Sequence, residues 1–205
     1  MEALSSVSVV KILVTGFKPF LSEKINPSEL LATDLGKKFP NVVTSFILPV
    51  EFGRSYEVLK DVLKAEKFDY ILMLGQAAGR EKICFEKIAL NWVQSESPDE
   101  ANIVPSTRPI AAEQPLALMS SFPVDQVYQA LQKEGLPVSL SFSAGTYVCN
   151  ELYFKVSAFE DVKSVFVHVP LIEEQVKEDK PRPFIGYAEQ LEVMQRMISV
   201  LLLEQ

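Results

Sequence analysis

Short apolar runs alternate along the chain with longer stretches in which apolar residues recur every three or four positions. Apolar runs of about four to eight residues indicate buried strands, and the three-to-four spacing indicates helices that bury one face. The runs predict strands at 9–14, 42–50, 70–74, 138–142 and 164–169, and an extended segment at 83–92. The spacing predicts helices that begin after Asn26 and at 55–67, 124–134, 149–159 and 187–203.

Local signals mark the ends of several of these elements. Asn26, Pro27 and Glu29 occupy the N-cap, N1 and N3 positions that helix starts favour. Gly36 is predicted to end that helix. Gly75 is predicted to close the third strand, and Gly135 the helix that follows Val124.

The alternation of strands and helices predicts an α/β fold. We expect a three-layer sandwich with a mainly parallel sheet and helices on both faces. Repeats and linkers are absent from the sequence, so residues 1–205 are predicted to form a single domain. Residues 94–123, here called the proline-rich segment, carry five prolines and no sustained periodicity. A long irregular segment of this kind is more often functional than idle.

Charge and composition narrow the possible functions. Lys and Arg number 20 against 27 Asp and Glu, a formal net charge of −7, which disfavours binding to nucleic acid or to an acidic membrane. Apolar runs stay well short of the roughly 20 residues that cross a bilayer. The start, MEALSSVSVVKILV, lacks the basic cluster of a secretory signal. These features predict a cytoplasmic protein.

Cys84 and Cys149 are the two cysteines, and His168 is the single histidine. The cysteines could form one disulfide, but a reduced pair is the expectation for a chain without a secretory signal. Neither a Cys-x-x-Cys nor a His-x-x-x-His pair is present to begin a zinc site, so no metal or other cofactor is expected.

Cys149 follows the small, polar stretch 143–146 and opens a predicted helix. Amide groups and the positive dipole end of a helix start favour a thiolate, and neighbouring N–H groups can hold an oxyanion. The alternative is a buried cysteine that only fills space.

His168 stands near the end of a predicted strand, where active residues of open α/β sheets gather, and it is the one base available to the thiol. Glu86 lies in a short apolar stretch, where an unpaired carboxylate is costly. It is therefore the best candidate for orienting the imidazole, the alternative being a salt bridge with Lys87 or Arg80. The loop 75–80 lacks the glycine patterns of phosphate-binding loops.

Four segments carry a family resemblance: ILVTGFKPF with the later NPS, GQAAGREKICFEKIALN, GLPVSLSFSAGTYVCN and FVHVP. In this order they resemble the motifs of pyroglutamyl peptidase I, a family of cysteine exopeptidases. The resemblance implies a phosphorylase/hydrolase-like α/β fold and removal of N-terminal pyroglutamate from peptides. It also implies Cys149 as the nucleophile, His168 as its base and Glu86 as the acid that holds the imidazole.

The same resemblance implies contacts with the substrate ring from Phe17 and Phe20, with Gln76 close by, and possible homo-oligomers. Three departures stand against it. Leu21-Ser22 replaces a Gly-Gly pair, Cys84 replaces Ser or Thr, and no arginine occurs in 92–107, where the family carries one. The missing arginine leaves open a catalytically impaired relative that acts as a binding or assembly subunit. A nucleoside phosphorylase is a further alternative, which no phosphate motif supports.

Overall fold

The computed structural model describes residues 10–21, 23–176 and 181–203. The elements in chain order are β1 (Ile12–Phe17), α1 (Pro27–Lys38), β2 (Val43–Leu48), α2 (Arg54–Ala65), β3 (Tyr70–Gln76), β4 (Ile83–Glu86), β5 (Ile88–Leu90), β6 (Ala117–Met119), α3 (Val124–Lys133), β7 (Val138–Ser141), α4 (Val148–Phe159), β8 (Lys163–Val169) and α5 (Tyr187–Leu203). One turn of 3₁₀ helix, Glu173–Gln175, separates β8 from α5.

Six strands form the central sheet in the order β2-β1-β3-β8-β4-β7. All neighbouring pairs are parallel except β4 and β8, so the prediction of a mainly parallel sheet is confirmed. His168 of β8 lies opposite Gly75 of β3 on one side and opposite Cys84 of β4 on the other. The short strands β5 and β6 pair antiparallel as a separate ribbon.

Helices cover both faces of the sheet, as predicted. On one face α1, α3 and α5 bury an apolar cluster that includes Leu35 and Met194. On the other face α2 and α4 pack through Leu59 and Leu152 onto a second cluster that includes Phe166. Each fully buried side chain of this size contributes about 1.5–3 kcal/mol relative to its exposed state. The α/β three-layer fold is therefore held by two separate cores, one for each face.

Local signals predicted some element ends correctly and others wrongly. Asn26 caps α1 through its Oδ1, which accepts from the N–H of Ser28, as expected. Gly36 does not end this helix, which runs on to Lys38. Its small size serves packing instead, because a Cβ at Gly36 would lie 2.8 Å from Oγ of Ser45 on β2.

Two strands also extend beyond their predicted limits. The first strand was predicted at 9–14, of which residue 9 lies outside the described residues, whereas β1 ends at Phe17. The third continues through Gly75 to Gln76, because its ladder with β8 runs on to Val169. The apolar run therefore ends before the pairing does.

The proline-rich segment is irregular apart from the short strand β6, which the pattern did not predict, and an isolated bridge joins Val93 to Arg108 just at its edge. None of the helices in the described ranges is long and apolar enough to cross a membrane. The assignment of residues 1–205 to a single domain stays a prediction.

Candidate active site

A cavity of about 150 Å³ opens at the carboxyl ends of the central strands, beside the start of α4. Five of the six residues singled out in the sequence line it: Phe17, Phe20, Gln76, Cys149 and His168. The sixth, Glu86, lies directly behind the imidazole. The fold thus brings together residues that are as much as 151 positions apart in the chain, from 17 to 168.

The His168 imidazole is bound to the Glu86 carboxylate. Its Nδ1 lies 2.8 Å from Glu86 Oε1, and both side chains are almost fully buried. Because an ionised carboxylate only accepts hydrogen bonds, the proton sits on Nδ1 and leaves Nε2 as a base. The ring also packs on Phe166, two residues earlier on the same face of β8, with ring centres 4.8 Å apart.

The imidazole of His168 is the nearest side-chain partner of Glu86. Arg80 Nη2 lies farther away, 3.5 Å from Glu86 Oε1, and Lys87 turns aside to pair with Asp125 at 2.8 Å. The Glu86 main chain is fixed too, since its carbonyl accepts from the hydroxyl of Tyr153 at 2.8 Å. Of the two salt bridges expected as alternatives, the one with Arg80 exists in addition to the imidazole contact, and the one with Lys87 does not.

Cys149 is the second residue of α4, within the first turn, whose amide groups have no helical acceptor. Glycine at position 75 makes room for it, because a Cβ there would lie 3.2 Å from the Cys149 sulfur and 2.6 Å from the Phe166 ring. Asn150 anchors the helix start to β5. Its side chain accepts from Leu90 N at 2.9 Å and donates to Leu90 O at 2.9 Å.

Cys84 and Cys149 are not bonded to each other in the structure. Burial raises the pKa of the Cys149 thiol to about 12, and the charge of Glu86 adds to the effect, while the backbone N–H of Cys149 opposes it. The residue is half-buried and lines the cavity. The helix start therefore does not by itself create a thiolate, and ionisation requires a nearby proton acceptor.

The binding side of the cavity is apolar with a few amide groups. Phe17 ends β1, and its N–H donates to Ser28 Oγ at 3.0 Å. Asn26 closes the loop between β1 and α1 by donating from Nδ2 to Lys18 O at 3.0 Å. Gln76 accepts at Oε1 from Gln175 Nε2 at 2.8 Å. Such a lining fits a small neutral ring that carries amide groups.

The proline-rich segment lies against this cavity. Gln94 and Thr146 exchange two hydrogen bonds, from Gln94 N to Thr146 O at 3.1 Å and from Thr146 Oγ1 to Gln94 O at 2.7 Å. Tyr147, next to the cysteine helix, donates from its hydroxyl to Pro98 O at 2.8 Å. The proline-rich segment, which lacks the expected arginine, thus packs directly on the loop before Cys149.

Four further residues line the cavity without having been predicted to do so: Asn26, Val50, Ala144 and Tyr147. Ala144 and Tyr147 stand within the cysteine motif, so their proximity to Cys149 was a usable signal. Asn26 was recognised only as a helix cap, and Val50 carries no signal of its own. Among the described residues, no group of three His, Cys, Asp or Glu side chains could hold a metal ion.

Comparison with known proteins places the chain in a class. The sequence profile of the pyroglutamyl peptidase family matches residues 10–204. The pyrrolidone-carboxylate peptidase of Staphylococcus carnosus is 38% identical over 180 residues, which cover 84% of each chain. That of Pyrococcus furiosus is 37% identical over 207 residues, or 95% of this chain and 99% of the relative.

Solved structures agree with the sequence relatives. The pyrrolidone carboxyl peptidase of Fervidobacterium islandicum AW-1 superposes with a TM-score of 0.87 at 33% identity, covering 94% of this chain and 98% of its own. Pyroglutamyl peptidase I of Bacillus amyloliquefaciens gives a TM-score of 0.87 at 29% identity, with 94% and 95% covered. The chain is a cysteine-type hydrolase on an α/β fold. It belongs to the pyroglutamyl peptidase family.

Proposed function

We propose that the protein is an exopeptidase that hydrolyses the N-terminal pyroglutamyl residue from peptides. Family membership supports the reaction class. The observation that carries the proposal for this chain is the convergence of Cys149 and the His168–Glu86 pair on one apolar cavity. A thiol, a base and an oriented acid in one pocket are the parts that acyl transfer through a covalent intermediate requires.

The reaction begins with proton transfer from Cys149 Sγ to His168 Nε2. This coupling matters because burial raises the pKa of the thiol to about 12 and so keeps it protonated in the resting cavity. The thiolate then attacks the carbonyl carbon of pyroglutamate and forms the S–C bond of a tetrahedral intermediate. Amide groups in the first turn of α4 are the donors nearest to the resulting oxyanion.

His168 next gives its proton to the leaving amine, the C–N bond breaks, and the shortened peptide departs. Water, deprotonated by the same imidazole, attacks the thioester, and the C–S bond breaks. Pyroglutamate is released and the Cys149 thiol is restored. Glu86 holds the proton on Nδ1 throughout and stabilises the imidazolium, the role that a third group plays in such triads.

The substrate ring is a five-membered lactam without charge. Phe17 and Phe20 supply apolar surface for it, and Gln76 supplies the polar contact. A charged α-amino group would lose hydration in this cavity without a carboxylate in the lining to compensate. The pocket therefore favours a pyroglutamyl terminus over an ordinary N-terminus.

We also infer that the protein works in a reducing compartment such as the cytoplasm, because its proposed nucleophile must remain a free thiol. Assembly into homo-oligomers stays a prediction. Neither inference is needed for the reaction above.

The first experiment is hydrolysis of a fluorogenic L-pyroglutamyl amide by the reduced protein. We expect turnover, and loss of at least a thousandfold in kcat for Cys149→Ala. The matched control is Cys84→Ser, which removes the other buried thiol, whose sulfur lies 3.2 Å from Ser139 Oγ, where a serine hydroxyl is tolerated. This variant should retain activity and remain open to inactivation by thiol alkylation.

Absence of turnover by the folded, reduced protein would refute the peptidase. If that protein still bound a pyroglutamyl peptide, a binding or assembly role would replace the peptidase activity as the proposed function. An arginine introduced near Gln94 would then be the first attempt to restore activity. Activity that required phosphate instead of a free thiol would indicate the phosphorylase.

A further inference from the structure

Gln175 lies behind the cavity and its amide orientation is fixed by main-chain groups. Its Oε1 accepts from Ile172 N at 3.2 Å, and its Nε2 donates to Ile25 O at 3.2 Å. An N–H can only donate and a carbonyl can only accept, so these two contacts determine which end of the amide is which. The side chain is also buried, at 6% exposure, which leaves it little room to turn.

The same Nε2 donates to Gln76 Oε1 at 2.8 Å. Gln76 lines the cavity, and its carbonyl end is therefore engaged outside the substrate space. Within the described part of the chain, Gln76 Nε2 has no hydrogen-bond acceptor. Gln76 thus has its NH₂ group left for the substrate, while its oxygen already accepts from Gln175. The orientation of a cavity residue is set by a residue that does not line the cavity.

We propose that Gln175 is a specificity-positioning residue that locks Gln76 with its NH₂ group available to the substrate, so that the site selects a five-membered ring bearing a carbonyl oxygen. The inference rests on the function proposed above and names the part of the lactam that Gln76 recognises. A site with a buried donor for a carbonyl oxygen rejects a ring that lacks the carbonyl, because the donor is then left unpaired. Gln175 also ties Ile25, next to the cavity residue Asn26, to the same network.

Substitution of Gln175 tests this orientation directly. Glutamate at this position replaces the donor with an acceptor, so the Gln76 amide should reverse and present its oxygen to the ring. We expect the dissociation constant for 2-pyrrolidinone to rise at least tenfold in Gln175→Glu. In Gln175→Leu, which has no polar atom to oppose Gln76, the rise should be smaller, about threefold. Calorimetry and the protection of Cys149 from iodoacetamide both measure this affinity without any turnover.

The kinetic signature separates positioning from a general loss of structure. Because none of the side-chain hydrogen bonds of Gln175 within the described residues goes to Cys149 or His168, KM for an L-pyroglutamyl amide should rise while kcat falls less than threefold. The matched control is Gln190→Leu. Gln190 is fully buried and donates to the carbonyls of Pro170, Leu171 and Ile185, and none of these hydrogen bonds involves Gln76. It should lower the melting temperature and leave lactam affinity in the folded protein unchanged.

Several outcomes overturn the inference. Lactam affinity within twofold of the parent in folded Gln175→Glu and Gln175→Leu would do so, and if the glutamate variant does not fold, the leucine variant decides alone. An equal loss of affinity in Gln190→Leu would also overturn it. If the unmodified protein does not bind the lactam, the inference about Gln175 is refuted. If it binds the lactam but shows no turnover, only the proposed peptidase activity is refuted.

Discussion

The two halves of the cavity are built in different ways. In the sheet half, Gly75 and His168 lie on adjacent parallel strands, β3 and β8, and Glu86 ends the neighbouring strand β4. In the loop half, Val50 and Tyr147 lie on connections that the proline-rich segment holds from outside. One half is fixed by ladders of main-chain hydrogen bonds, the other by a small number of single contacts.

Asp99 illustrates how sparse the contacts of the loop half are. Its Oδ2 accepts from Phe52 N at 2.9 Å, and its Oδ1 accepts from Ala101 N and Ile103 N. This carboxylate and one main-chain hydrogen bond, from Glu100 N to Val50 O at 3.0 Å, connect the proline-rich segment to the loop that carries Val50. This difference predicts a division of roles: the rigid half holds the reactive groups and the ring contacts at Phe17 and Gln76, and the adjustable half shapes the rest of the substrate pocket.

The largest effect is expected from His168→Gln in the sheet half. Glutamine keeps an amide donor for Glu86, so the buried carboxylate is not left unpaired, but it cannot accept the thiol proton. We expect kcat to fall at least a thousandfold with little change in KM, since the general base is lost and the loop half is untouched. Steady-state kinetics measures both, and thermal denaturation checks that the variant folds.

The same variant should expose the raised pKa of Cys149. Without the imidazole, the thiolate fraction increases about tenfold per pH unit as long as the pH lies below the pKa of about 12. Alkylation by iodoacetamide should therefore accelerate continuously from pH 7 to pH 10, and the parent should react far faster at pH 7. A plateau near pH 8.5 in the variant would show that burial does not raise the pKa of this thiol.

Asp99→Asn in the loop half is expected to have a smaller effect, and to change KM where His168→Gln changes kcat. Asparagine places an NH₂ group where one oxygen now accepts, and it removes the charge that strengthens the other bonds. Hydrogen bonds to charged groups contribute about 1.5–3 kcal/mol each, so we expect a stability loss of about that size. KM should rise about tenfold, because the Val50 loop loosens, while kcat changes little.

Glu96→Gln is the matched control for the loss of one negative charge on the same segment, because Glu96 is exposed. It should leave both stability and KM at parental values. A fall in kcat as large as the rise in KM for Asp99→Asn would contradict the division between the two halves.

The sequence predicted the sheet half well, and for identifiable reasons. The run that ends at Val169 and the acid in an otherwise apolar stretch are local features, and the mainly parallel pairing of the sheet follows from the alternation of strands with helices. Asn26 was assigned correctly as a cap because capping depends on neighbouring residues. The bounds of α5 were also correct, since a helix of 17 residues repeats its pattern over several turns.

The rest of the site depends on contacts between distant parts of the chain. Gly75 was assigned to a strand end, whereas its function in the fold is to make room for the Cys149 sulfur, 74 positions later. Gln175 and Asp99 act through a few side-chain hydrogen bonds that no periodicity describes. The motif resemblance located the reactive groups, but it could not locate the residues that orient them.

The smallest expected effect concerns strain in the loop half. Leu21 has a φ of 51°, in the left-handed region, where the family resemblance expects glycine. A side chain with a Cβ costs roughly 1–2 kcal/mol there, and glycine recovers this at the expense of a more flexible unfolded chain. The side chain is also 56% exposed, so its removal sacrifices little apolar contact. We expect Leu21→Gly to raise the free energy of unfolding by about 0.5 kcal/mol, measured by urea denaturation.

Leu116→Gly provides the comparison, because Leu116 is 83% exposed and its φ is not positive. The same substitution at this position should destabilise the protein by roughly 0.5–1 kcal/mol, since only the entropic cost of glycine remains. Equal destabilisation at both positions would mean that the Leu21 backbone stores no strain. In that case the loop would be held mainly by the hydrogen bond from Leu21 N to Glu100 Oε1 at 2.9 Å. Glu100→Gln would then change the free energy of unfolding more than Leu21→Gly does.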